Sequence, residues 1–314
     1  MSNGYDATNK IGMGLYHLDP RWCSFEDFKY MADLGIFNSY KLQCGYGTSV
    51  GAIQIAKEHG SQVWLGMESF QANENLSGYV QRADRFIQKL KEQNLWDTIV
   101  GFHWDEPISA SRWTNEAFRD MTKAFSEEYG KRIFPVFASF QVAGTKGNFS
   151  DPDDARLLTR EATKYITDFG YDAYGFDFRR PYSEAMTKKI NEISQKFPEV
   201  TSVDDYYRFY LKTLEERMEN KNAKVWVFPA AYTTNTWAGY KTDEDYCIAH
   251  LEGLKKILFE FDNPGGIFNY TYKTWNIAEP GMDLHLSRNN PERWNKYEDA
   301  CRKVLNEIKD IEVK

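Results

Sequence analysis

Thr98-Ile99-Val100-Gly101-Phe102-His103-Trp104-Asp105-Glu106-Pro107 is the stretch that decides how this chain is read. Residues 98–103 form a short apolar run, rich in the β-branched and aromatic side chains that suit a buried strand. Two acids in succession end the run. Pro107 stops it, because proline has no amide hydrogen to give a ladder. Packing does not account for two carboxyl groups at the tip of a buried strand. In a βα barrel that tip is where reacting groups stand. The stretch therefore predicts a parallel strand with carboxylate chemistry at its end.

Working outward, apolar strand-like runs and amphipathic helix-like runs alternate along the whole chain. Strands are predicted at 11–16, 37–42, 62–67, 98–104, 132–138, 173–178, 224–229 and 266–272. Helical spacing of apolar residues recurs at 25–34, 78–91, 115–128, 153–167, 203–218, 243–261 and 291–308, with an extra helix at 183–196. Eight strands alternating with helices predict a (β/α)8 TIM barrel, read as one domain over residues 1–314. An open doubly wound sheet would carry a glycine-rich phosphate turn after its first strand. Tyr16-His17-Leu18-Asp19-Pro20 stands there instead. Gly35, Gly60, Gly130, Gly170 and Pro264-Gly265-Gly266 read as ends of helices. Strand-to-helix connections are long, notably 139–152, 179–202, 230–242 and 273–291, which places the elaborated face at the carboxyl ends of the strands.

Composition narrows the function. Net charge is −7 with no block of Lys and Arg, which argues against a nucleic-acid or anionic-membrane surface. No run is long and apolar enough to span a bilayer. The polar first residues carry no leader signal, so the sequence suits a cytoplasmic protein or a mature segment without its leader. Cys23, Cys44, Cys247 and Cys301 lack disulfide or zinc spacing and read as buried thiols. Aromatic residues make up 16% of the chain, enough to serve both core and ligand-stacking surfaces. Neither a metal nor an organic cofactor is expected: there is no His-x-His after strand one, no HExxH, and no Walker loop. Oligomeric state is not legible.

Polar residues at strand ends supply the candidate site. Strand four gives His103, Asp105 and Glu106, strand three Glu68, and strand six Asp177 and Arg179. Candidates for binding a polyol are Tyr16, His103, Gln141, Arg179, Tyr232, Trp237, Tyr270, Tyr272 and Trp275. Structural readings stand beside these. Asp105-Glu106 also suits a helix N-cap, Asp177 a partner for Arg179 and Arg180, and His103 a buried histidine. Asp172 reads as a turn residue on the opposite face of the barrel.

The Asp105-Glu106-Pro107 ending resembles the Asn-Glu-Pro of clan-A TIM-barrel glycoside hydrolases, with Asp105 in place of Asn. That resemblance implies glycosidic bond cleavage on a carbohydrate substrate, with Glu106 as acid/base. It also implies a nucleophile Glu at the end of strand seven, and residues 225–232 contain no acid. Either Glu68 or Asp177 then supplies the second carboxylate, or the substrate supplies its own nucleophile. The adjacent Asp-Glu is similar to the pair in β-N-acetylhexosaminidase-type barrels, where the Asp orients the attacking acetamido group. There a tyrosine such as Tyr232 or Tyr270 would bond the acetamido oxygen. A catalytically silent carbohydrate-binding barrel is the competing reading.

Overall fold

Short strands, buried on both faces, form the centre of the molecule. The computed structural model describes residues 10–18, 24–67, 76–108, 113–143, 157–232, 243–270 and 295–312. The strands are β1 (Gly12–Leu18), β2 (Ser39–Gln43), β3 (Gln62–Gly66), β4 (Ile99–Asp105), β5 (Arg132–Phe137), β6 (Asp168–Tyr171), β7 (Lys224–Val227) and β8 (Pro264–Asn269). They pair in parallel in chain order, and β8 returns to β1, closing a barrel. Around it, among the described residues, lie α1 (Phe25–Asp33), α2 (Gly47–Glu58), α3 (Leu76–Glu92), α4 (Asn115–Tyr129), α5 (Ser139–Ala143), α6 (Glu184–Ser194), α7 (Val203–Arg217), α8 (Glu244–Leu258) and α9 (Asn295–Ile308). The chain is thus a (β/α)8 barrel. None of these helices is long and apolar enough to cross a membrane.

Large aromatics on some strands and glycines on their neighbours fill the barrel. Trp64, Phe134, Trp226 and Phe268 meet ring to ring, with centroids 4.9 to 6.1 Å apart in the Trp64–Phe134 and Phe134–Phe268 contacts. A Cβ on Gly101 would lie 2.4 Å from Trp64, and one on Gly266 would lie 2.3 Å from Trp226. Those glycines make room for the rings; they do not shape turns. Helix starts are fixed locally. Ser24, Thr114, Ser183, Ser202 and Asp243 each accept an amide hydrogen from the first turn of the helix that follows.

Three sequence expectations are corrected. Strand six is not 173–178 but Asp168–Tyr171, five residues earlier. The predicted helix 153–167 is, among its described residues, only a 3-10 turn at Glu161–Thr163. A strand that opens on Asp and contains Gly does not look like a buried strand. Asp168 is nonetheless fully buried. Its carboxylate accepts from Arg132 Nε and Trp226 Nε1, both at 2.8 Å, and from the Thr167 hydroxyl. Gly170 and Pro264-Gly265-Gly266 lie within strands, not at helix ends; Gly170 faces Phe228, where a Cβ would stand 2.3 Å away. Gly35, Gly60 and Gly130 do take the left-handed backbone of helix ends, with φ of 63°, 66° and 62°. The spacing did not predict α2, whose buried residues are the small Ser49, Val50, Ala52, Ile53 and Ala56. Cys44, Cys247 and Cys301 are buried free thiols, while Cys23 lies outside the described residues.

Candidate active site

Strand alternation positions the acids. On β4, Phe102 and Trp104 face the helices: Phe102 meets Phe125 at 4.8 Å, and Trp104 Nε1 donates to Tyr79 Oη at 2.9 Å. His103 therefore faces inward, edge-on to Tyr16 at 5.2 Å and Phe134 at 5.1 Å, and Asp105 shares its face. Glu106 comes next, with φ of +43°, in the left-handed region that a branched or long side chain rarely takes. Its amide still donates to Val136 O at 2.9 Å, so pairing with β5 holds the strained residue in place. Strain of this kind costs on the order of 1–3 kcal/mol and collects at functional sites.

The corrected β6 brings in a third acid. Asp168 and Gly170 face the interior and Tyr171 faces α7, where its ring stacks on Tyr210 with centroids 4.7 Å apart. One residue on, Asp172 turns inward at the carboxyl end of β6. It is not a turn residue on the opposite face. Its amide donates to Phe137 O at 3.2 Å, and its Oδ1 is shielded from solvent with no hydrogen-bond partner among the described residues. Burial, followed by the charges of Asp105 and Glu106, holds the Asp172 carboxyl well above the usual carboxylate range. Burial and two neighbouring charges thus both favour the protonated form of Asp172. Nearby Tyr174 also titrates higher than usual, through burial and then the charge of Asp172.

Glu106 and Asp172 open onto one cavity of about 570 Å3. Its wall continues through Tyr174 and Tyr270, which stack at 4.8 Å, and outward to Phe176, Tyr206 and Tyr210. Flat aromatic faces beside acids suit a polyhydroxylated ring, which offers both apolar C–H faces and hydroxyls.

Other predicted residues fall in several places. Tyr270 lines the cavity. Tyr16, His103 and Tyr232 do not line it; Tyr16 and Tyr232 meet the Tyr270 ring at 6.0 and 5.5 Å, buttressing it. Asp177 lies in the connection after β6, not at its end, and is bound by Arg179 through Nη2 at 2.7 Å and Nε at 3.0 Å. Arg179 also reaches Asp243 at 3.0 Å, so this pair ties β6's following loop to α8. Gln141 is buried, accepting from Ala138 N at 2.9 Å and donating to Ile108 O at 2.7 Å, a tie between connections. Glu68, Trp237, Tyr272 and Trp275 lie outside the described residues. Strand seven presents Trp226 and Phe228 inward, in keeping with the missing acid there.

A buried relay supports the Asp172 end. His250 Nδ1 accepts from Ala230 N at 2.8 Å, which leaves the proton of the neutral ring on Nε2. Nε2 then donates to Tyr207 Oη at 2.8 Å, and Tyr207 donates to the carbonyl of Ala173. Burial pulls the His250 pKa down to about 3, so the ring stays neutral and the direction of the relay is fixed.

Solved structures share this closed-barrel fold. A GH5_18 protein from Bifidobacterium longum subsp. infantis superposes with a TM-score of 0.56 at 9% identity, over 91% of this chain and 73% of its own. A beta-glucosidase from Exiguobacterium marinum gives 0.54 at 10% identity, over 90% and 86%. A β-glucuronidase from Ruminococcus gnavus gives 0.52 at 11% identity, over 93% of this chain and 50% of its own. At such identities the likeness is one of fold. No protein-family model and no curated protein sequence matches the chain.

Proposed function

We propose that this protein is a glycoside hydrolase, cleaving a glycosidic bond with Glu106 as acid/base and Asp172 as the second carboxyl group. The observation that carries this reading is the meeting of two carboxyl groups, from the ends of β4 and β6, on one aromatic-walled cavity. Glycosidic cleavage needs a protonated carboxyl at the leaving oxygen and a carboxylate at the anomeric centre or its attacking water. In the resting site the proton is favoured on Asp172 and the charge on its acidic neighbours, so on this reading substrate binding passes the proton to Glu106 and leaves Asp172 as the carboxylate. Asp105, adjacent to Glu106, raises the proton affinity of Asp172 by its charge. Asp177 is set aside because its carboxylate is already committed to Arg179. The substrate-assisted route, with Asp105 orienting an acetamido group, is the second reading; the presence of Asp172 on the cavity favours the two-carboxyl route.

Turnover of a panel of 4-nitrophenyl α- and β-glycosides, N-acetylhexosaminides included, tests the reading. Glu106→Gln should lower kcat by about 10^2- to 10^4-fold, the usual worth of a positioned acid or base, with ligand binding retained. Unchanged turnover would leave the barrel as a carbohydrate binder whose acids only bond hydroxyls. Activity confined to N-acetylhexosaminides would favour the substrate-assisted route.

A further inference from the structure

The cavity has a second pole. Away from Glu106 and Asp172 it runs outward to α6, the extra helix between β6 and α7, where Lys189 and Ile193 join its wall. The Lys189 ammonium lies 3.8 Å from the centre of the Phe176 ring and donates to Gly175 O at 2.9 Å. Among the described residues that carbonyl is its one hydrogen-bond acceptor, and no carboxylate pairs with it. Lys29, Lys255 and Lys303 each meet an acid at 2.6 to 3.2 Å, while Lys57 and Lys131 also end on backbone carbonyls; Lys189 differs from these two in lining the cavity.

An ammonium has three donors and tolerates burial poorly unless a counter-charge is present. A neutral amide at this position would serve to clasp Gly175 O. The charge and the spare donors are what a clasp does not need. Burial alone lowers the pKa of Lys189, to about 8, with no acid offsetting it.

We propose that the α6 end of the cavity is an anion subsite, in which Lys189 receives a singly charged group carried by the substrate. The class is a sugar, or a glycoside's leaving portion, bearing a carboxylate or a sulfate ester. A single ammonium over an aromatic ring matches one negative charge better than a dianion. The idea rests on the proposed hydrolase reading for what happens at Glu106, though not for the binding itself.

Binding can be read without catalysis. Incorporation of 13Cε-labelled lysine into the full chain reports on each lysine and leaves all three donors of its ammonium in place, and Lys189→Met identifies the Lys189 resonance by its loss. Titration with D-glucuronate and with glucose 6-sulfate should shift that resonance saturably. Glucose, or sodium chloride at equal ionic strength, should not. A response to glucuronate alone assigns the subsite to carboxylates, and to the sulfate alone to sulfate esters. In turnover, the kcat/KM ratio of charged to neutral 4-nitrophenyl glycosides should fall about 10- to 100-fold in Lys189→Met, the worth of a hydrogen bond to a charged group. No saturable shift with either anion, or an equal shift with glucose, overturns the proposal. If no glycoside is cleaved but the anions bind, the hydrolase reading fails and the subsite stands. Cleavage without anion binding gives the reverse.

Discussion

Asp172 is the residue that changes the account of the site. Its Oδ1 is shielded and lacks a hydrogen-bond partner among the described residues, and its carboxyl feels the charges of Asp105 and Glu106. Such a group costs stability when ionised. Its folded pKa lies above the unfolded one, so the stability it contributes is full below the unfolded pKa and is lost as pH rises through the folded pKa. Asp172→Asn should therefore raise Tm, by little near pH 3 and by most at alkaline pH. Thermal melts of both proteins across that range check it, and a Tm gain that shrinks as pH rises would contradict it. A stabilising substitution that removes activity is the expected mark of a functional acid. Glu106 carries a related cost in its positive φ, held in place by its bond to Val136.

Elements position these groups, and their legibility in the sequence followed their chemistry. β4 was readable because its apolar run is long and its acids are abrupt. β6 was not. Asp168 and Gly170 look foreign to a buried strand until Arg132, Trp226 and Phe228 are seen to satisfy the one and fill the space beside the other. Residues 173–178 alternate like a strand, and that alternation drew the prediction five residues along, carrying Asp177 to the tip in place of Asp172. The inward set Asp168, Gly170, Asp172 has the period of a strand and was the signal available. The end of β6 is also held by α7 and α8 through His250, Tyr207 and Ala173. Tyr207→Phe should cost about 1–3 kcal/mol, because two buried groups lose their partner. It should also lower kcat more than it raises KM, by loosening Asp172. Urea melts and steady-state kinetics check both effects; wild-type values for both would remove the relay from the account.

Across the whole molecule, the closed barrel was legible from alternation. The interior was not, since glycines that admit Trp64 and Trp226 look in sequence like turn formers. Nor was the cavity's course. It depends on α6 and α7 folding back over β6, which brings Phe176, Lys189, Tyr206 and Tyr210 to one wall although they are spread along the chain. The barrel thus places carboxyl chemistry at its axis and an aromatic, singly basic wall at its rim. The central claim is that Asp172, not Asp177, is the partner of Glu106. Turnover of Asp172→Asn and Asp177→Asn, measured side by side on the best 4-nitrophenyl glycoside, tests it most directly. The account predicts a fall in kcat of about 10^2- to 10^4-fold for Asp172→Asn and near wild-type kcat for Asp177→Asn. Wild-type turnover in Asp172→Asn, or the large loss appearing in Asp177→Asn alone, would contradict it.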